Sequence, residues 1–161
     1  MKKLFYIFII LFIALGIFVR PPVEGGAVTS WYGLRAAFGR DFHTGSDISL
    51  PVGSEVKTIS WGTVIETGYS ERNGNYVIIS HFPGSESKYL HMDTITVAAG
   101  EKLNPQSIIG TVGNTGLSTG SHLHFEIRLF NLPLPANLLC MPGRAFGAIG
   151  LHNIMNAFIS D

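Results

Sequence analysis

Cysteine is nearly absent from this 161-residue sequence: Cys140 stands alone. No intrachain disulfide can therefore staple the fold, and stability has to come from a buried core. Charge is scarce as well. Eleven Lys and Arg balance eleven Asp and Glu, and charged residues make up 14% of the chain. That leaves no basic stripe for a phosphate backbone and excludes nucleic acid as the expected partner. No His-Glu-x-x-His helix occurs, so a metal site with a helical glutamate base is excluded too. Internal repeats and low-complexity segments are missing, and the length suits one domain with its own core. Cys140 lies outside the motifs described below and reads as a small buried apolar side chain.

One long hydrophobic run is present. Lys2 and Lys3 precede sixteen apolar residues, Leu4 to Val19, which Arg20, Pro21 and Pro22 then close. As a helix the run spans about 24 Å, slightly short of a hydrocarbon core of roughly 30 Å. The excess of lysine on its N-terminal side predicts a cytoplasmic N-terminus, with everything after residue 20 exported. Small-x-small cleavage sites exist at Ala14 to Gly16 and at Gly25 to Ala27, but more apolar residues follow the first and two prolines precede the second. The expectation is an uncleaved anchor contacting the membrane through this helix, with secretion after cleavage as the alternative. The division that follows is 1–20 anchor or signal segment, 21–30 linker, 31–130 folded domain and 131–161 extension. In the extension, apolar spacing from Leu151 to Ile159 predicts a short amphipathic helix with His152 facing solvent.

Between Trp31 and Phe130 the chain consists of short runs rich in Val, Ile and Tyr, separated by glycines. The runs are Glu55 to Ile59, Gly62 to Thr67, Tyr76 to His81, Lys88 to Met92, Ile108 to Val112 and His122 to Phe130, an all-β pattern. Asn73, Gly74 and Asn75 supply a hairpin turn. Trp31, Trp61, Tyr69 and Tyr76 read as core or cleft-wall aromatics. From Ser121 to Arg128, the apolar residues Leu123, Phe125 and Ile127 alternate with His122, His124, Glu126 and Arg128, so both imidazoles face the same side of a strand. Neutral imidazole nitrogens and carboxylate oxygens are ordinary zinc ligands, and a catalytic zinc keeps three of them plus an open position. His43, Asp47 and one of His122 and His124 complete such a set.

These elements occur in order with further ones: His-x-Gly-x-Asp (His43, Gly45, Asp47), a turn at Pro51 and Gly53, Gly-x-Val (Gly62, Val64), Tyr-x-His (Tyr89, His91) and the block from Gly116 to His124. The stretch from about Ser30 to Arg128 thereby resembles the lysostaphin-type zinc metallopeptidases, the LytM family, which cut peptide bonds in bacterial peptidoglycan. The resemblance implies a mainly antiparallel sheet with a metal-binding groove, Zn2+ held by His43, Asp47 and His124, and His91 and His122 as catalytic histidines. It leaves open which of the two is the base. Glu126 receives no role from it and reads as an outer-layer or solvated carboxylate. His81 is expected at the rim or in a structural role. The implied substrate is a peptidoglycan peptide, cut in wall remodelling, lysis or penetration, by a protein held in a bacterial membrane or in that of a virus infecting bacteria. The rival implication is a non-catalytic LytM-like module that regulates another wall hydrolase, which has no need of all five residues together. A different zinc hydrolase converging on His-x-His is a third, against which the Gly116 to Gly120 block speaks. Some relatives are latent through an asparagine upstream of the site; residues 21–42 contain none, so that form of latency is not expected.

Overall fold

The computed structural model describes residues 20–35, 41–81 and 84–136. The apolar run expected to anchor the chain, Cys140 and the helix expected around His152 lie outside these residues. Among the described residues no helix is long and apolar enough to cross a membrane.

The described residues form twelve strands: β1 (Ala27–Ser30), β2 (Gly33–Arg35), β3 (Asp41–His43), β4 (Ser46–Ser49), β5 (Glu55–Lys57), β6 (Gly62–Ser70), β7 (Gly74–His81), β8 (Ser85–Ile95), β9 (Lys102–Leu103), β10 (Ile108–Val112), β11 (His122–Leu129) and β12 (Leu132–Leu134). Ten build one sheet in the order β1-β4-β11-β8-β7-β6-β9, with β10 bridging β5 and β8 and β12 flanking β11; β2 and β3 form a separate ribbon. Every pairing is antiparallel, so the expected all-β class is what the described residues adopt.

The alternation that predicted β11 also explains its burial. Leu123 and Phe125 are fully enclosed and Ile127 nearly so, and they pack with Ile48 of β4, Val77 and Ile79 of β7 and Tyr89 and Met92 of β8 into one core. Each such side chain contributes about 1.5–3 kcal/mol of burial free energy. The six expected runs all become strands, with shifted ends. The run from Glu55 stops at Lys57, because Thr58 turns out of the ladder and donates its N–H to the Ser107 carbonyl at 2.9 Å. The folded unit also extends past 31–130 at both ends: β1 pairs with β4 and β12 with β11.

Three of the aromatics differ from expectation. Trp31, Trp61 and Tyr69 each expose half or more of their surface and line no part of the groove described below. β6 packs on the core through Val64, while Ile65, at the register shift against β7, and Tyr69, paired with Asn75 towards the end of the strand, are left to solvent. Tyr76 is half-buried, its hydroxyl donating to Glu66 Oε1.

Candidate metal centre

Strand register brings the first three residues together. β4 pairs with β11 so that Asp47 lies opposite His124 and Ser49 opposite His122. His43 closes β3, and Thr44 and Gly45 turn the chain into β4. Gly45 is required there by space: a Cβ would meet the Phe125 carbonyl oxygen at 2.5 Å and His124 Nε2 at 2.8 Å. The turn therefore lies flat against β11 and drops His43 beside His124. His43 Nε2 is 3.0 Å from His124 Nδ1 and 3.1 Å from Asp47 Oδ1, and His124 Nδ1 is 2.8 Å from the same oxygen.

The outer nitrogen of each imidazole has its own acceptor, which sets the tautomer. His43 Nδ1 donates to the Trp31 carbonyl at 3.0 Å and His124 Nε2 to Glu126 Oε1 at 3.2 Å. His91 Nδ1 donates to the Thr115 carbonyl at 2.8 Å, and His122 Nδ1 to the Gly120 carbonyl at 2.7 Å. Each ring thus keeps a lone pair on its other nitrogen. The rings of His91 and His122 are 4.8 Å apart, and His91 lies 6.1 Å from His124.

His91 reaches this cluster by an irregularity. Along β7 and β8 the register passes from Asn75 opposite Met92 to Val77 opposite Tyr89, so β8 carries one extra residue, a β-bulge. His91 sits in it with φ 62°, the left-handed region that non-glycine residues seldom enter. Strict alternation from the core residue Tyr89 would send His91 into the core. The bulge puts Met92 there and frees His91 to line the groove.

The groove has a volume of about 1080 Å³ and is walled by β3, the β6–β7 turn and the 117–121 loop, with His43, Asp47, His91, His122 and His124 among its lining. Burial works to raise the Asp47 carboxyl, but bonds from His124 and His43 outweigh it and hold the group well below the usual carboxylate range. Glu126 is pulled down to about 2: burial opposes ionisation, while His124, Thr44 and Arg128 favour it. Burial also opposes a charged His124, yet Asp47 and Glu126 push its pKa up. His91 shifts the other way, chiefly through burial, which favours the neutral, proton-accepting ring.

The donor set fits a zinc ion. A tetrahedral ion with bonds near 2.1 Å spaces its ligands about 3.4 Å apart, and the triangle of His43, Asp47 and His124 atoms needs to widen by only a few tenths of an ångström. Two neutral imidazoles and one carboxylate leave a fourth position open. His91 and His122 lie beside this triangle, His122 Nε2 being 3.8 Å from Asp47 Oδ1.

Some contributors have no motif-level signal. Arg35 places Nη2 3.0 Å from Asp41 and Nη1 3.8 Å from Asp47 Oδ2, and Trp31 orients His43 through its backbone alone. Glu126 was marked by its place on the histidine face, and it proves to be the acceptor that turns His124. His81 lies outside the groove lining, in a buried chain: its Nε2 is 2.7 Å from Ser87 Oγ, which in turn donates to the Tyr89 hydroxyl.

Comparison with known proteins places this geometry. The family model for Peptidase family M23 matches residues 41–135. The Peptidoglycan DD-endopeptidase ShyA of Vibrio cholerae is 39% identical over 94 residues, 58% of this chain and 22% of that protein. A zinc-containing peptidase from Vibrio cholerae superposes with a TM-score of 0.70 at 34% identity, over 74% of this chain and 39% of the other. A mutant catalytic domain of the prophage-encoded M23 protein EnpA from Enterococcus faecalis gives 0.67 at 30% identity, over 76% of this chain and 97% of that one. The chain spans about a quarter of the length of the curated relatives it matches first.

Proposed function

The chain belongs to peptidase family M23, and from that membership we propose that it is a zinc-dependent endopeptidase that hydrolyses peptide bonds in bacterial peptidoglycan. The observation that carries the reading is the convergence of imidazole lone pairs and one carboxylate oxygen at a single point in a groove of about 1080 Å³. Relatives named as peptidoglycan endopeptidases support the substrate class.

In this reading His43, Asp47 and His124 hold the ion, which, when bound, supplies an acidified water and a Lewis acid. His91 and His122 flank the scissile carbonyl. One, neutral, accepts the proton of the attacking water at Nε2 and passes it to the leaving amine, and the other, as the imidazolium, donates from Nε2 to the developing oxyanion. Both rings are oriented for this by carbonyls that take the Nδ1 proton and leave Nε2 for the exchange. Glu126 holds His124 in the ligand tautomer. A LytM-like regulatory module, the rival reading, has no use for two flanking histidines with this preparation.

The apolar run before Arg20 anchors the protein in a membrane with the domain on the exported side, the side where peptidoglycan lies. Its flanking charges support this orientation.

Purified His122→Ala retains zinc and loses wall digestion by a factor of at least 100, whereas His43→Ala loses the metal itself. Full digestion by both variants would contradict the assignment.

A further inference from the structure

The groove holds two arginines in different situations. Arg35 pairs with Asp41 and Asp47. Arg72, exposed in the turn between β6 and β7, lines the groove and forms no ion pair among the described residues. The acidic residues lining the same groove are committed elsewhere: Asp41 to Arg35, Asp47 to the histidines, Glu126 to His124 and Arg128.

The backbone that carries Arg72 is tightly held. Its carbonyl accepts the Leu117 N–H at 3.1 Å, and the next carbonyl, of Asn73, accepts the His91 N–H at 2.9 Å. Gly74 packs on Thr115 so closely that a Cβ would lie 2.3 Å from its Oγ1. Arg72 is thus one residue from the peptide unit that fixes His91, and its side chain springs from a rigid base. Beside it Leu117, exposed by 78% of its surface, presents an apolar edge to the same groove. A cation carried on a held backbone next to an apolar lip is chemistry for a peptide residue that carries a carboxylate near a small apolar group.

We propose that Arg72 is a specificity-determining residue that binds a free carboxylate of the substrate peptide, with Leu117 packing against the adjoining apolar part. The inference rests on the peptidase reading above. A guanidinium presents a planar donor fork to a carboxylate and gains a charge-assisted bond that a carboxamide does not reproduce.

The test uses the zinc-loaded 161-residue chain in detergent and synthetic cross-linked stem-peptide dimers. The dimers carry a carboxylate or a carboxamide at the D-glutamyl α position, at the diamino acid or at the C-terminal D-alanine, so that the arms identify which carboxylate is read. The wild type should cut the carboxylate form of one pair about tenfold better in kcat/KM, mainly through KM. Arg72→Gln should bring that ratio close to one while leaving cleavage of the carboxamide form within about twofold, and Arg72→Glu should invert the preference. Zinc content equal to wild type shows that either variant is folded. Equal cleavage of every pair by the wild type, or an equal loss on both members in Arg72→Gln, overturns the carboxylate assignment alone. Cleavage of no dimer by the zinc-loaded wild type overturns the peptidase reading beneath it.

Discussion

Glu126 shows how much a single side chain outside the ligand triangle can decide. By accepting from His124 Nε2 it commits the other nitrogen, Nδ1, to the cluster, and removing such a partner typically costs 10–100-fold in metal affinity. Glu126→Ala should therefore bind zinc about 10–100-fold more weakly, measured by competition with a chromophoric chelator. Unchanged affinity would show that His124 is oriented without it. Gly45 makes a different demand. Its missing Cβ would sit inside contact distance of two backbone or ring atoms, so Gly45→Ala should lower stability by about 2 kcal/mol or more in denaturant titration and weaken zinc binding with it. At this scale the sequence was informative where chemistry and regular spacing coincide. The structure brings His43, Asp47 and His124 to one point, where residue types and spacing alone had left His122 and His124 open for the third place. Arg35 and the Trp31 carbonyl did not announce themselves, because an isolated arginine and a backbone group carry no spacing signal.

At the scale of elements, regularity separates what could be read from what could not. β11 follows strict alternation, so the facing of His122 and His124 was visible in the order of residues alone. β8 does not. Counting by twos from Tyr89 puts His91 in the core, and only the bulge, set by pairing with a strand distant in sequence, reverses that. Likewise β1, β3, β4 and β12 are strands of three or four residues, too short for a periodic signal and held by partners elsewhere in the chain. The β6–β7 turn is the element on which several groove features depend. Gly74, at φ 62° and pressed on Thr115, allows it to dock on the loop that follows β10. Gly74→Ala should cost about 1–3 kcal/mol in stability and slow turnover more than it weakens zinc binding, since it displaces the support of His91 and leaves the ligand triangle intact. Equal losses in both would indicate general unfolding instead of a local shift.

The molecule as a whole has a core below the sheet and a polar groove above it, and its response to pH belongs to this scale. His81 is buried and its pKa is depressed by burial below the ordinary 6.5, the Trp61 carbonyl opposing this only in part. The unfolded chain therefore binds a proton more readily than the folded one, so this contribution to stability is whole above pH 6.5 and shrinks as the pH falls below it. In zinc-free protein the stability difference between wild type and His81→Gln should narrow from pH 7.5 to pH 5.5; a constant difference would contradict the assignment. The β domain could be read from its Val-, Ile- and Tyr-rich runs, while the exposure of Trp61 and Tyr69 could not, because aromatic content alone does not say how far a side chain lies from the core. The most direct test of the central claim is digestion of purified peptidoglycan by the 161-residue chain in detergent, before and after metal chelation, with products identified by mass spectrometry. Release of peptide-cleaved fragments that ceases with the chelator and returns with zinc is the predicted result. Intact walls in the presence of folded, zinc-loaded protein would contradict it.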